Sequence, residues 1–397
     1  MGGFFHSYHQ TALNLLESYR FQEPFALYLK QYFRKVKKHG SRDRKLIADL
    51  CFGFFRTGNS GLDLDIEQRI AIGYYLTHEE DNGYLNWLNF PIQASVSEKI
   101  ETKLQFLFEE FPSFQFELYF PVATSLMQEI DSNIFFKSFF HQPPFFLRAR
   151  PGKREKLKTL LVNKNIPGIW LDDMTVSIPS NINITDFITP DEEYVIQDLS
   201  SQHTFDLLKA INKSINHIWD VCSGSGGKSI MAADMFPNSK IYASDIREDI
   251  LNELRRRMLV SGIHNCKSFC TDLEHPMSSA VVRSNISTGG VDLIIADVPC
   301  TGSGTWSRSP ERLLQMDAAL IMDYQQRQKS IVSRLLQHLK KGGYFLYITC
   351  SVYKEENTEV VDFILNNTEL ELIGSEMIIG YERGGDNLYA ALFTLPA

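Results

Sequence analysis

The sequence predicts an α/β protein whose C-terminal half is a parallel sheet with helices on both faces. Three observations predict it. From residue 191 onward, strand-like apolar runs alternate with amphipathic helical stretches. A glycine-rich turn, "DVCSGSGGKS", follows the first of those runs and opens a helix. The front of the chain has helical periodicity and few strand signals, so it forms a separate layer. A chain of 397 residues is long enough for two or three domains with ample core.

Taken in order, residues 1–140 are rich in Phe, Tyr and Leu and read as an all-α domain. Within "SRDRKLIADLCFGFFR", Leu46, Ile47, Leu50, Cys51 and Phe54 fall on one helical face, and Ser41 is placed to cap that helix. The prolines of "HQPPFF" stop the helical pattern and mark a boundary. Residues 141–190 form a small α+β module: "FFLRARPG" as a strand, "KREKLKTLLVNKN" as a helix, "GIWLDDMTVSIP" as strand–turn–strand. Residues 191–397 carry seven strand-like runs: "HIWDVC", "KIYASD", "KSFCTD", "VDLIIAD", "YFLYITC", "LELIGS" and "LYAALFTL". Helical stripes lie between the early ones: Ile250, Leu251, Leu254 and Met258, then Ile331, Val332, Leu335, Leu336 and Leu339. That second helix is expected to end at Lys340-Lys341-Gly342-Gly343.

Composition narrows the function. The net charge is −8, which argues against a broad nonspecific DNA binder. Two stretches run against the acidic total. Lys30, Arg34, Lys35, Lys37, Lys38, Arg42, Arg44 and Lys45 face one acid, Asp43; Arg148, Arg150, Lys153, Arg154, Lys156 and Lys158 face Glu155. Such local patches suit contact with phosphates, or else are solvated helix surface. No apolar stretch approaches a membrane span, and "MGGFFHSYHQ" lacks the pattern of a secretory signal. Six cysteines do not make a disulfide framework, so free thiols in a reducing cytoplasm are expected.

The glycine turn resembles a phosphate-binding loop, and Gly227-Lys228-Ser229 matches the end of a P-loop. The glycine such a loop needs at its start is replaced by Cys222. A ligand with a ribose and an adenine but no phosphates, S-adenosylmethionine, suits the turn better. Asp245, at the end of the second strand, is placed for the ribose hydroxyls. Asp272, at the end of the third, is placed for the adenine amino group. Strand-end aspartates also cap following helices, and that bland role competes.

Cys51, Cys222, Cys266 and Cys270 read as structural, and His264 and His275 do not complete a zinc site with "CKSFC"; no metal is expected. Cys300 and Cys350 differ. Each ends an apolar run among Gly, Ser and Thr, at the strand end where parallel sheets deliver side chains into a ligand crevice. A thiol beside a methyl donor suits carbon-5 of a pyrimidine. Thiolate addition to carbon-6 turns carbon-5 into a nucleophile, which takes the methyl group before the thiolate leaves. Asp297, three residues before Cys300, is placed to hold ring nitrogen-3 of a cytosine. Residue pattern alone does not separate the two thiols.

Four motifs in order resemble the RsmB/Nop/Sun family of RNA 5-methylcytosine methyltransferases: "QDLSSQ", "DVCSGSGGKS", "DVPCTGSGTWSRSPE" and "YITCSVYKEEN". The resemblance implies a Rossmann-like seven-stranded methyltransferase domain at 191–397. It implies Cys350 as nucleophile, Cys300 as the thiol that helps release product, Asp297 holding the cytosine, and Lys228 pointing into the site. Asp220, Cys222, Ser223, Gly224, Ser225, Gly226, Gly227, Lys228, Asp245, Asp272 and Asp297 would line the S-adenosylmethionine pocket. Residues 141–190 are similar to the family's small RNA-recognition-like module. Residues 1–140 are similar to the NusB-like domain of its bacterial ribosomal branch, which implies ribosomal RNA, 16S in particular, as the partner of a cytoplasmic monomer that binds neither membrane nor DNA. Ser225 departs from the family's usual proline, Ile250 from a frequent arginine, and "GGDNLYAALF" from the usual last motif. A catalytically silent RNA-binding or assembly protein on the same fold, and a P-loop nucleotidase, are the competing classes.

Overall fold

The computed structural model describes residues 2–91, 96–115, 120, 122 and 125–397. The chain forms two compact units. One comprises Met1–Leu126, Asp131–Gln142 and Thr305–Ala318; the other Met127–Ile130, Pro143–Gly304 and Ala319–Ala397. Among the described residues, no helix is long and apolar enough to cross a membrane.

The first unit is helical: α1 (Gly2–Ser18), α2 (Phe25–Lys35), α3 (Ser41–Arg56), α4 (Ile66–Thr77), α5 (Tyr84–Trp87), α6 (Ile100–Glu110) and α7 (Ser132–Ser138). The predicted apolar face of α3 is the buried one, with Ile47, Leu50, Cys51 and Phe54 inside. Ser41 is the first residue of α3 rather than its cap. Gly40 precedes the helix, and its N–H donates to the Asp43 carboxylate at 2.8 Å, which satisfies the entry from inside the first turn. Aromatic rings fill the centre, Phe25 lying 4.8 Å from Phe55 and 5.0 Å from Tyr19. Thr305–Ala318, which the sequence placed in the 191–397 domain, belongs to this unit. Its Glu311 accepts the Phe25 N–H at 3.1 Å, and its Ser307 carbonyl accepts from Arg56 at 2.7 Å.

The second unit opens with an antiparallel sheet of β1 (Phe145–Ala149), β2 (Ile169–Trp170), β3 (Thr175–Ile178) and β4 (Tyr194–Ile196), ordered β2-β3-β1-β4. Helix α8 (Arg154–Asn163) covers it, with Leu157 and Leu161 meeting Leu147, Val176 and Ile178 in one core. β4 lies beyond residue 190, where the sequence had already ended the module.

The basic run of this module is spent on internal ion pairs. Arg148 is buried and donates to Asp234 at 2.8 Å. Arg150 meets the same carboxylate at 2.9 Å, and Lys153 and Lys156 reach Glu193. This corrects the phosphate-contact reading for Arg148 and Arg150. The acids that neutralise them lie far along the chain, so local charge counting missed them.

The large sheet contains β5 (His217–Asp220), β6 (Lys240–Asp245), β7 (Cys266–Cys270), β8 (Val291–Asp297), β9 (Leu339–Thr349), β10 (Glu371–Ile378) and β11 (Leu388–Thr394). Its order is β10-β11-β9-β8-β5-β6-β7, with β5 to β9 parallel and β10 and β11 antiparallel at one end. This is the Rossmann-like α/β architecture predicted. Between β5 and β8 the order reverses direction, and that switch point opens the crevice where such sheets bind ligands. Around it lie α9 (Leu199–His203), α10 (Gly227–Met235), α11 (Glu248–Val260), α12 (Ser278–Asn285), α13 (Ala318–Leu335) and α14 (Thr358–Asn367).

Lys340–Gly343 does not end a helix. α13 stops at Leu335 and β9 already includes these residues. The register slips between Val291 and Leu293, and Gly343 accepts the Leu395 N–H at 2.9 Å, so non-local pairing satisfies a backbone that reads locally as a helix end.

Candidate active site

Topology explains why two cysteines 50 residues apart meet. β8 and β9 are parallel neighbours, and Asp297 stands opposite Ile348. Cys300 follows the first by three residues and Cys350 the second by two, so both leave the same edge of the sheet. Their sulfurs lie 3.2 Å apart, and both side chains are half-buried. The Cys300 thiol is pushed well above its ordinary value by its contact with Cys350, then by burial, then by the charges of Glu356 and Asp297.

Lys228, in the first turn of α10, donates to the Asp297 carboxylate at 2.7 Å and lies 3.4 Å from the Ser201 hydroxyl. Burial alone would lower its pKa, but the charge and hydrogen bond of Asp297 outweigh it and the net direction is upward. The lysine therefore stays protonated, a buried cation held by one carboxylate. Cys300, Cys350, Asp297 and Lys228 thus form one cluster.

The glycine loop joins β5 to α10 beside them. Gly224 and Gly226 have φ of 52° and 89°, the left-handed region where glycine is at ease. At Gly226 a Cβ would stand 2.9 Å from Leu254 Cγ, so the loop also needs glycine for close packing on α11. At Gly224 and Gly227 a Cβ would meet nothing within 4 Å, and the loop is open on that side. Ser225, in place of the family's proline, is pinned another way. Its carbonyl and hydroxyl accept from Arg257 at 3.0 and 3.1 Å, and Arg257 is itself paired with Asp191 at 2.7 Å. Ser223 is buried and its N–H donates to the Ser244 carbonyl at 2.9 Å; Cys222 is half-buried.

Asp245 ends β6, as predicted, and accepts the Gly224 N–H at 3.0 Å. It also accepts from the backbone and side chain of Arg247, each at 3.0 Å. Burial opposes its ionisation, but these donors outweigh it and lower its pKa. Asp220 ends β5, fully buried, and is pushed up to about 7 by burial, against the hydrogen bond from Ser229. Its Oδ1 has no partner among the described residues. An unmatched buried acceptor, a strand-end carboxylate and an open glycine loop fit a ligand carrying both ammonium and ribose hydroxyls.

Asp272 stands apart. It is exposed, two residues past the end of β7, and its carboxylate accepts the Glu274 N–H at 2.9 Å. Cys270, expected to be buried, is exposed at the end of its strand. Ile250 is half-buried, and the arginine that contacts Asp245 is Arg247. The divergent last motif backs the cysteine loop: the Asn387 N–H donates to the Gly304 carbonyl at 2.9 Å, and the Gly304 N–H to the Cys350 carbonyl at 2.9 Å.

Ser201, Arg247, Arg257 and Glu356 were given no role from sequence. Ser201 and Glu356 sit inside quoted motifs, a signal that was available. Arg247 and Arg257 carry no pattern beyond their distance from Asp245.

Residues 207–384 match the family described as 16S rRNA methyltransferase RsmB/F. The chain is 28% identical over 270 residues to ribosomal RNA small subunit methyltransferase B of Photorhabdus laumondii, covering 64% of this chain and 60% of that protein. It is 27% identical over 253 residues to a mouse 28S rRNA (cytosine-C(5))-methyltransferase, covering 60% of this chain and 30% of that one. The matched region thus spans about three fifths or less of these relatives' lengths. The fold of the solved protein PH0851 superposes with a TM-score of 0.69 at 18% identity, covering 96% of each chain. NSun6 from Pyrococcus horikoshii superposes at 0.55 and 14% identity, covering 68% of this chain and 95% of that one. The matched motifs, the sheet order and these relatives make residues 207–384 similar to the RsmB/F methyltransferases, on a fold shared with the solved structures.

Proposed function

We propose that this chain is an RNA cytosine carbon-5 methyltransferase, with small-subunit ribosomal RNA as its substrate and S-adenosylmethionine as its methyl donor. The observation that carries the reading is the pair of thiols 3.2 Å apart at the crevice, beside an ion pair of buried Lys228 with half-buried Asp297. S-adenosylmethionine, when bound, supplies an electrophilic methyl group. Asp220, Asp245 and the loop from Cys222 to Lys228 would hold it.

The remaining chemistry belongs to the chain. The target base leaves its helix, or is already unpaired, so that a thiol reaches carbon-6. Cys350 attacks as thiolate and its sulfur bonds to carbon-6; the ring electrons move to carbon-5, which takes the methyl group. Lys228 fixes the Asp297 carboxylate, which accepts from the exocyclic amine of the cytosine and from ring nitrogen-3 once that nitrogen is protonated. Water takes the carbon-5 proton, the electrons of that C–H bond restore the ring double bond, and the carbon-6–sulfur bond breaks to release Cys350 as thiolate. The division of labour, Cys350 bonding to the ring and Cys300 helping release, rests on the motif each thiol occupies, Thr349-Cys350 and Pro299-Cys300.

Bisulfite sequencing of ribosomal RNA from a deletion strain identifies the cytosine. With purified protein, Cys350→Ala abolishes methyl transfer. Cys300→Ala accumulates an RNA–protein adduct that survives denaturing electrophoresis. An adduct trapped by Cys350→Ala instead reverses the roles, and no adduct in either variant removes the covalent route.

A further inference from the structure

The carboxylate of Glu356 is fully buried between the two cysteine loops. One oxygen accepts the Thr301 N–H at 2.9 Å and the Gln328 amide at 3.0 Å. The other accepts the Thr301 hydroxyl at 2.6 Å and the Ser351 hydroxyl at 2.5 Å. Thr301 directly follows Cys300, and Ser351 directly follows Cys350. A single side chain therefore grips the residue after each thiol. Gln328 adds a second tie, since the same amide donates to the Pro299 carbonyl at 3.0 Å, just before Cys300. Burial outweighs the donors and raises its pKa, but the donors on both oxygens still fix where the side chain lies.

We propose that Glu356 is a positioning residue for methyl transfer: it clasps the Cys300 loop to the Cys350 loop and so fixes the gap between the two sulfurs. The inference rests on the reading above, in which both thiols serve one adduct in turn. Two groups that act in sequence on the same ring must both reach it, and a misplacement of 1 Å costs about 10²-fold in rate. Backbone pairing alone leaves this gap soft. β8 ends at Asp297 and β9 at Thr349; beyond them the Val298 N–H donates to the Ile348 carbonyl at 3.1 Å, the Gly304 N–H to the Cys350 carbonyl at 2.9 Å, and the Val352 N–H to the Ser303 hydroxyl at 3.0 Å, none of which holds the residue after either thiol through a charged group.

A buried carboxylate also supports folding, so the test reads the gap itself. Diamide takes two hydrogens and their two electrons from a pair of thiols. One S–S bond forms, two S–H bonds break, and the diamide is reduced to its hydrazine. The rate of Cys300–Cys350 bond formation in the full chain, followed by mass spectrometry, reports their separation. Iodoacetamide labelling reports each thiol alone.

Glu356→Gln keeps the shape and replaces one acceptor by a donor facing Thr301 or Ser351. The expected result is a disulfide rate at least about tenfold slower, labelling within about twofold of wild type, and kcat down about 10²-fold with KM for RNA and methyl donor held. A folded Glu356→Gln protein with the wild-type disulfide rate and kcat overturns the proposal. Should that variant not fold, Thr301→Val and Ser351→Ala each remove one donor and leave the carboxylate, with Ser303→Ala as the control for the Ser303 contact that both hydroxyls also make. Slower disulfide formation in both supports the clasp, and wild-type rates in both overturn it. A wild-type protein that methylates no RNA would defeat the proposed function instead, while the diamide comparison would still judge the clasp.

Discussion

Asp220 shows how far burial alone can move a single residue. It is fully enclosed at the end of β5, faces Ser229, and titrates near 7 rather than 3.8. Its folded pKa is raised, so the stability it contributes is fully present below about 4 and is lost as the pH climbs to about 7. Asp220→Asn cannot ionise and escapes that loss. In the absence of methyl donor, the variant's unfolding free energy relative to wild type should rise between pH 4 and pH 8, by on the order of a few kcal/mol. Denaturant unfolding at both pH values checks it. A difference that stays constant across the range would show that Asp220 enters the fold already ionised, through a partner other than Ser229. The same variant should bind the donor more weakly, because the unmatched Oδ1 acceptor is replaced or turned.

Helices and strands respond to closer constraints than charge. α3 and α4 cross at Gly53 and Gly73, where a Cβ on Gly73 would stand 2.1 Å from the Gly53 carbonyl oxygen. No rotamer relieves a Cβ, so the two backbones must part. Gly73→Ala should therefore lower the melting temperature of the helical unit, by roughly 1–3 kcal/mol of stability or more. A wild-type melting curve for Gly73→Ala would show that the helices can slide apart freely.

Local pattern made much of this level legible. The apolar stripe of α3, the stripe Leu251, Leu254 and Met258 of α11, and all strands of the large sheet follow from periodicity. Strand ends follow too, and with them Asp245, Asp297, Cys300 and Cys350, because a parallel strand puts its last residues at the crevice; Asp220 entered only through the family resemblance. What stayed hidden depended on distant partners. β4 has three residues and exists by pairing with β1; the start of β9 reads as a helix terminus until its neighbours are known. Glu356 lay inside the last quoted motif without a role, because its donors come from three separate segments.

Across the whole molecule, the two basic runs have different fates although they look alike in sequence. Arg148 and Arg150 hold Asp234 inside the second unit. Lys30, Arg34, Lys35, Lys37, Lys38, Arg42 and Lys45, on α2, α3 and the turn between them, are all exposed, with no ion pair among the described residues. On a chain of net charge −8 they form a local cationic surface, and a polyanion is the partner such a surface attracts. Each phosphate neutralised contributes about 0.7 to the slope of log affinity against log salt for single-stranded RNA, and about 0.9 for a duplex. The triple variant Lys37→Glu, Lys38→Glu, Arg42→Glu should weaken RNA binding uniformly across sequences and flatten that slope by about 2. Its affinity for the methyl donor should not change. Arg150→Ala should do the opposite: it leaves the slope alone and lowers thermal stability, because it strips one of two cations from a buried carboxylate. Filter binding of ribosomal RNA fragments over a salt series, with melting curves for each variant, separates the two surfaces. An unchanged slope in the triple variant would assign RNA contact to another face and leave these cations as solvated helix surface.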